Sequence, residues 1–319
     1  MNAAPNSRAY KVISLLIKAG ILILSFWYVF YKLKNTSVQL DFSTILKQSD
    51  KPLLAVTFCL LFINWGLEAL KWKLLIAPLE NISFLTAFKS VFAGVTVSIF
   101  MPNRVGEFAG RIFFLEKAGK VEATLKNFVG AIAQFSITFC VGGIAMFHVS
   151  SFSGSSYADD HFKITLIIQL IAMLMVLGII LFILLNRLRL GFSSKVQSCF
   201  NAVSSIGWKE LVVIFILSFT RYCVFLFQYY LAIKVFGVRM DFEPASLLIA
   251  IVFLITSAIP SFALTEVVTR GAVAATVFGL YCTDTNAVIA ASFMVWIINL
   301  AIPALTGSLF IGKMKFFKS

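Results

Sequence analysis

Charged residues are scarce in this 319-residue sequence, at 13% of the chain, whereas hydrophobic residues make up 60%. A soluble domain carries about one quarter charged residues, so the composition excludes an ordinary globular enzyme, a disordered chain and a disulfide-rich secreted module. Lys and Arg outnumber Asp and Glu by 27 to 14, which gives a net charge of +13. In so apolar a chain this charge indicates membrane topology and contact with anionic lipid rather than a nucleic-acid partner. The composition predicts an all-α, polytopic integral membrane protein.

Signatures of metal and nucleotide sites are absent from the sequence. The two histidines, His148 and His161, and the five scattered cysteines form no CxxC pair and no cluster with metal-ligand spacing. No P-loop, G-x-G-x-x-G or G-x-S-x-G string occurs. We therefore expect no metal, no nucleotide and no other cofactor.

Long apolar runs dominate the chain instead. A membrane-crossing helix needs roughly 20 apolar residues. Two segments, 84–118 and 244–281, are apolar but interrupted, and we predict that they form broken or re-entrant hairpins, because non-helical backbone at membrane depth survives only inside protein or beside water. Six uninterrupted stretches are predicted as full spans: 12–31, 53–77, 125–149, 163–186, 209–236 and 286–311.

The two interrupted segments resemble each other. The first reads TAFKSVFAGVTVSIFMPNRVGEFAGR (86–111), with its break at Pro102 and Gly106. The second reads ASLLIAIVFLITSAIPSFALTEVVTR (245–270), with its break at Pro260. In both, a Glu and then an Arg four residues later follow the proline. We infer an internal repeat.

The repeats cover about 52–150 and 208–312, joined by the span 163–186 within a single membrane domain, 1–319. Each repeat holds an even number of crossings, so the linking span inverts the second repeat relative to the first, as in many transporters. Lysine and arginine concentrate in 71–126, 187–209 and the C-terminal tail. The positive-inside rule therefore places both termini in the cytoplasm, with the protein in the cytoplasmic membrane. The lysines of 32–51 oppose this assignment without reversing it.

Each hairpin carries a pair of opposite charges. Glu107 and Arg111, like Glu266 and Arg270, are four residues apart and share one helix face. Two interpretations remain open. The pairs neutralise each other as structural clips in the bilayer, or they join Arg104 in binding a lipid phosphate, for which the planar arginine fork is suited.

Two further charges lie within spans. Glu68 belongs to the second predicted span and Arg221 to the fifth. An unpaired charge at mid-bilayer costs at least ~2.5–3.5 kcal/mol, so we predict that both face the protein interior, where Arg221 either pairs with a carboxylate or joins the headgroup site. We expect Lys71 and Lys73 to extend to the cytoplasmic interface, with their apolar stems along the helix.

The strings LKWKLLIAP (70–78), MPNRVGEFAGR (101–111) and IPSFALTE (259–266) resemble the lysylphosphatidylglycerol synthase transmembrane, or flippase-like, family. The resemblance spans about 10–312. The second motif departs from the expected glycine-rich pattern, because Phe262, Ala263 and Leu264 occupy the turn. The positions that match the family pattern are Pro102, Arg104, Gly106, Glu107, Arg111, Pro260 and Glu266.

This resemblance implies a lipid flippase or transporter whose partner is a membrane phospholipid or a polyprenyl lipid. No soluble catalytic domain follows the last predicted span, so we expect no synthesis of lysyl-lipid and no enzyme activity. Two alternatives remain open. One is a scaffold that assists lipid or cell-envelope synthesis enzymes. The other is a membrane-embedded enzyme that uses Glu107 or Glu266 as a base.

Overall fold

The computed structural model of the protein describes residues 51–101, 104–152, 203, 205–259, 263–279, 281 and 284–311. Throughout this part of the chain the regular elements are helices, and no strand occurs. Four of the helices are long and apolar enough to cross a membrane. The all-α, multi-pass membrane class expected from the composition is therefore confirmed. The expected spans 12–31 and 163–186 lie outside the described residues.

Eight helices make up the described fold. The last of them contains a π-helical segment, Ile297–Ala301. The helices are α1 (Lys51–Ile76), α2 (Phe84–Ser98), α3 (Gly106–Ile112), α4 (Lys120–Phe152), α5 (Trp208–Val235), α6 (Phe242–Ala258), α7 (Ala263–Gly279) and α8 (Thr285–Phe310).

Four expected spans correspond to long helices. These are α1, α4, α5 and α8, whose ends differ from the expected bounds by at most five residues. Local signals mark some of these ends: the Asp284 carboxylate accepts a hydrogen bond from the amide of Ala287 and so caps α8. Within α8, Pro303 has no amide hydrogen to donate, and the Ile302 amide bonds back to Ile297, which gives the π-helical turn its register.

The first interrupted segment folds as a tight helical hairpin, α2–α3. A Cβ atom on Gly110 would overlap the backbone of Gly94, and one on Gly106 would lie 2.6 Å from the carbonyl carbon of Val97. These contacts pair early residues of α3 with late residues of α2, so the two helices run antiparallel. Glycines permit this approach because they carry no side chain. Gly106 is thus the first residue of α3, and its close contact with α2 sets the position of that helix. The break itself contains Pro102, which lies outside the described residues.

The second helix of this hairpin, α3, is short, although the predicted hairpin extends to residue 118. It ends at Ile112, and a loop follows as far as Gly119. The Glu80 carboxylate holds this loop, because it accepts hydrogen bonds from the backbone amides of Glu116, Lys117 and Ala118 at 2.7–3.2 Å. Partial burial alone raises the pKa of Glu80, but the three amides outweigh it and lower the pKa below its ordinary value.

The second interrupted segment also forms two helices. α6 ends at Ala258 and α7 starts at Ala263, so Pro260 falls in the break between them and outside the described residues. The helix α7 carries Glu266 in its first turn, where the helix dipole favours a negative charge.

Packing follows a regular order. α1 packs against α5, α2 against α8, and α6 against α4. Two glycines allow the last two contacts: Gly307 of α8 sits on the backbone of Phe92, and Gly142 of α4 sits on Leu254. The core between these helices is apolar and aromatic, and it includes the fully buried Trp72 and Phe278.

Candidate functional site

A cavity of about 180 Å³ lies among α1, α4, α5, α6, α7, α8 and Arg104, two residues before α3. Four of the charged residues singled out from the sequence line it: Arg104, Arg221, Glu266 and Arg270. The cavity brings together Arg104, from the first hairpin, with Glu266 and Arg270, from the second. We call these four side chains and the space between them the arginine cavity.

The arginine cavity lies halfway along the membrane-spanning helices. Asn64 of α1, Arg221 of α5 and Asn299 of α8 all line it. Thirteen residues precede Arg221 within α5 and fourteen follow it, so it stands about 20 Å from either end of the helix at ~1.5 Å per residue. Asn64 and Asn299 occupy similar central positions in their helices. The charged side chains of the cavity therefore lie at the depth where contact of a charge with lipid hydrocarbon would cost the most free energy.

Glu68 is the hub of the neighbouring ion pairs. Its carboxylate oxygens lie 2.8 Å from Lys71 Nζ, 2.8 Å from Arg111 Nη1 and 3.1 Å from Arg221 Nη1. Glu68, Lys71 and Arg111 are all buried. Glu68 therefore ties α1 to the first hairpin and to α5.

The first hairpin adds a second carboxylate. Glu107 lies 3.2 Å from Arg111 and 3.1 Å from Arg104. Arg111 also donates a hydrogen bond to Asn127 of α4 at 3.0 Å. Arg104 has a φ of 57°, and among the described residues it is the one non-glycine in the left-handed region. That backbone conformation is strained for a residue with a bulky side chain. Here the conformation places Arg104 beside Glu107 and along the cavity.

The second hairpin contributes the third carboxylate. Glu266 Oε1 lies 2.8 Å from Arg270 Nη2, so this expected pair forms in the structure. Arg104, from the other hairpin, is near enough to Glu266 to attract it electrostatically. Arg104, which precedes the first Glu-x-x-x-Arg motif, and the second motif thus line the same cavity.

A chain of side-chain amides fixes Arg221. Its Nε donates to Asn64 at 3.0 Å, Asn64 donates to Asn299 at 3.0 Å, and Asn299 donates to Gln228 at 2.9 Å. Gln228 ends the chain by donating to the backbone carbonyl of Thr57 at 2.9 Å. Every member of this chain has a defined direction, so the guanidinium is held at a set angle between α1, α5 and α8.

Aromatic side chains form another part of the cavity wall. Trp65, Tyr222 and Trp296 line the cavity, each is at least nine-tenths buried, and each has a polar atom without a hydrogen-bond partner. The Arg221 guanidinium lies over the Trp65 ring, 5.2 Å from its centroid, a cation–π contact. Buried donors usually find a partner, and these three atoms are exceptions to that rule.

Sequence reasoning did not select these aromatic residues. A signal was available for two of them, because Trp65 stands three residues before Glu68. Trp296 likewise stands three residues before Asn299. An aromatic residue on the same face as a buried polar group is a pattern that the sequence displays.

The expected site residues divide into two groups. Those that line the cavity are Arg104, Arg221, Glu266 and Arg270. Glu68, Glu107 and Arg111 stand behind them and pair with them or with one another.

The expectation for Lys71 is wrong. The side chain is buried at 2% exposure and bonds Glu68 instead of reaching the interface. It points inward because a carboxylate three residues earlier offers it a partner on the same helix face. Across the described residues, no group of three His, Cys, Asp or Glu side chains is placed to hold a metal ion.

Comparison with known families gives one match. A family model described as the lysylphosphatidylglycerol synthase TM region matches residues 13–307. The match covers more than half of the chain and agrees with the resemblance found in its motifs. No curated protein matches the chain.

Proposed function

Because the chain belongs to the family of lysylphosphatidylglycerol synthase TM regions, we propose that it moves an anionic lipid across the cytoplasmic membrane, as a flippase or lipid transporter. The headgroup of a phospholipid or of a polyprenyl phosphate occupies the arginine cavity during transfer. One observation carries this proposal: three arginines from three different elements converge on one cavity at the middle of the spans.

The arginines suit a lipid phosphate in geometry and in access. The side chains of Arg104, Arg221 and Arg270 are 33%, 20% and 25% exposed, so they are neither sealed in the core nor free in bulk water. A guanidinium donates two parallel hydrogen bonds to a phosphate. The barrier to lipid transfer is the passage of a charged headgroup through hydrocarbon, and a charged cavity at mid-depth lowers that barrier.

The packing supports an inverted repeat as part of this proposal. Repeat one contains α1 to α4 and repeat two contains α5 to α8. When each helix is exchanged for its counterpart in the other repeat, the α2–α8 contact becomes the α6–α4 contact and the α1–α5 contact is unchanged. The same exchange relates the two hairpins. The first hairpin then brings Arg104 to the cavity and the second brings Glu266 and Arg270, each from its own side of the membrane, which is the arrangement that alternating access uses. Both termini are cytoplasmic in this proposal.

Lipid transfer in proteoliposomes tests the function. Purified protein is reconstituted with a fluorescent anionic phospholipid, and the fraction of label that becomes accessible to an external quencher is followed over time. We expect transfer that depends on protein, and a loss of about tenfold or more in Arg221→Gln and Arg270→Gln, since each removes a positive charge that faces the headgroup.

The matched control for these variants is Lys89→Gln, which removes one positive charge outside the cavity. Its transfer rate should equal that of the unmodified protein. Lipid transfer that persists in both arginine variants, with all proteins folded in size-exclusion chromatography, would refute the site. Absence of transfer by the unmodified protein would favour the scaffold alternative, in which the ion pairs serve structure alone.

A further inference from the structure

Glu266 is the one carboxylate, among the described residues, that lines the arginine cavity. It stands in the first turn of α7, and its side chain is 8% exposed. Its oxygen Oε1 lies 2.9 Å from Nε and 2.8 Å from Nη2 of Arg270. The carboxylate thus occupies one of the two-donor edges through which an arginine binds a phosphate.

An anion in the cavity competes with this carboxylate. If the anion takes the same edge of Arg270, Glu266 stays buried without that partner. If the anion binds another edge, two negative charges share one guanidinium. Both arrangements disfavour the ionised carboxylate, and a buried carboxyl group then takes up a proton. Because linkage is reciprocal, anion binding and proton binding at Glu266 strengthen each other.

The other two carboxylates of the cluster have more cationic partners. In the part of the chain that the structure describes, Glu68 pairs with three cations and Glu107 with two. Glu266 forms one such pair there, with Arg270. Glu68 and Glu107 also stand behind the cavity wall, whereas Glu266 lines the cavity. The carboxylate with the fewest cations is therefore the one that an entering anion meets.

The surroundings of Glu266 hold no other group that titrates near neutral pH, within the described helices. Of the two helices that pack against α7, α8 carries no ionisable side chain, and α6 carries Glu243 at its far end. Arginine and tyrosine side chains ordinarily keep their protons between about pH 5 and pH 8. The charged and titratable groups around Glu266 are Arg270 on its own helix, Arg104 from the first hairpin, and Arg221, Tyr222 and Tyr229 from α5.

We propose that the arginine cavity takes up a proton together with the lipid anion, that Glu266 holds this proton, and that lipid and proton cross the membrane together. This inference rests on the proposed lipid-headgroup site and specifies what drives transfer. The proton is taken from the aqueous phase on one side and is released on the other side when the lipid leaves. Transfer of a singly charged headgroup with one proton is electrically neutral.

Binding of a lipid whose own charge is constant tests the linkage. Dioctanoyl phosphatidylglycerol is a phosphodiester, so it lacks the second ionisation that a phosphate monoester has near pH 6. The full chain, purified in detergent, is titrated with this lipid by calorimetry at pH 5.5 and pH 7.5, in buffers of different ionisation enthalpy. We expect about tenfold tighter binding at the lower pH, with net proton uptake on binding.

Glu266→Gln replaces the carboxylate by a neutral amide of the same size. Its affinity should no longer depend on pH, and its binding should take up no proton. The matched control is Glu243→Gln, which removes an exposed carboxylate at the far end of α6 and should keep both properties. If the unpaired Arg270 prevents folding, the double variant Glu266→Gln, Arg270→Gln removes both members of the pair and gives the same readout.

A pH gradient tests whether the proton crosses with the lipid. Proteoliposomes that contain phosphatidylglycerol with a fluorescent acyl chain are prepared with a difference of one pH unit across the membrane. Joint transfer concentrates the label in the leaflet that faces the alkaline side, by about tenfold at equilibrium, since one pH unit is a tenfold ratio of protons. Glu266→Gln should distribute the label evenly.

The outcomes separate the coupling from the transport function. Affinity that is independent of pH, without proton uptake, would overturn the coupling and leave lipid transport standing. An even distribution of label despite transfer by the unmodified protein would do the same. Persistent pH dependence in the folded Glu266→Gln variant would show that another group holds the proton. If folded protein neither binds nor transfers the lipid at either pH, the proposed function fails and the coupling fails with it.

Discussion

Glu68 is the residue on which the ion pairs around the cavity depend. Its carboxylate contacts three cations that belong to α1, the first hairpin and α5. A buried ion pair contributes little by itself, but removal of one partner leaves the others as unpaired buried charges. Because Arg221 reaches both Glu68 and the cavity, this carboxylate also sets the position of a cavity-lining arginine.

The first prediction concerns the loss of that carboxylate. Glu68→Gln leaves Lys71, Arg111 and Arg221 without their shared counter-charge, so we expect a loss of about 3–5 kcal/mol in the free energy of unfolding. Thermal unfolding of the detergent-purified protein, followed by fluorescence, measures this as a lower midpoint temperature.

Glu107→Gln is the matched control for that change. The Glu107 side chain is 19% exposed, and its partner Arg111 keeps both Glu68 and Asn127. We expect less than half the destabilisation of Glu68→Gln. Equal losses in the two variants would contradict the view that Glu68 is the hub.

Residue spacing along one helix predicts part of this network. The pairs Glu107–Arg111 and Glu266–Arg270 follow from four-residue separation alone, and both form. The inward direction of Lys71 depends on Glu68 and on Ser218 of α5, at 3.5 Å. Glu68 stands three residues before Lys71 on the same helix face, so local spacing already indicated this pair, and the expectation for Lys71 failed because it assigned the lysine to the interface instead.

At the scale of elements, the first hairpin is held by backbone contacts. Gly94 and Gly110 face each other so closely that no side chain separates α2 from α3. This contact sets the position of α3, a helix of only seven residues that bears Glu107 and Arg111. The glycines therefore control where two charges of the cluster stand.

The second prediction is that Gly110→Ala disrupts this hairpin. The added methyl group would overlap the backbone of Gly94, and backbone cannot rotate away as a side chain can. Overpacking of this kind costs about 1–3 kcal/mol or more, so the unfolding midpoint should fall and lipid transfer should fall with it.

Gly66→Ala is the control within α1. The nearest atom to its added methyl group is Phe84 Cζ at 3.9 Å, an ordinary contact. Alanine favours a helix over glycine by about 1 kcal/mol, so this variant should match or exceed the stability of the unmodified protein. Normal behaviour of Gly110→Ala would show that the two helices separate more readily than the structure indicates.

The element boundaries show where sequence patterns are informative. Apolar length located α1, α4, α5 and α8 to within five residues, because a membrane span is defined by its length and hydropathy. The end of α3 at Ile112 was not predicted. The loop that follows is shaped by Glu80, which lies more than thirty residues earlier in the chain, and such a contact is invisible to a local pattern.

At the scale of the whole molecule, the proposal joins two hairpins that enter from opposite sides. Arg104 and Ser257, which lie near the two breaks, both line the cavity, and in this proposal the open ends of the hairpins face different compartments. The open end of the first hairpin includes the loop at Lys117, and that of the second includes the start of α6 at Glu243. Both side chains are exposed in the structure.

The third prediction places these two residues on opposite membrane faces. In a variant that lacks the five native cysteines, Lys117→Cys should react with a membrane-impermeant thiol reagent only from the cytoplasmic side, and Glu243→Cys only from the outer side. Right-side-out and inside-out vesicles supply the two sides. Each single-cysteine variant is its own control, since permeabilised vesicles must label both equally. Reaction of both from one side would mean that the hairpins enter together; the two repeats would then not be inverted, and a shared mid-membrane cavity would have to open to both compartments by another route.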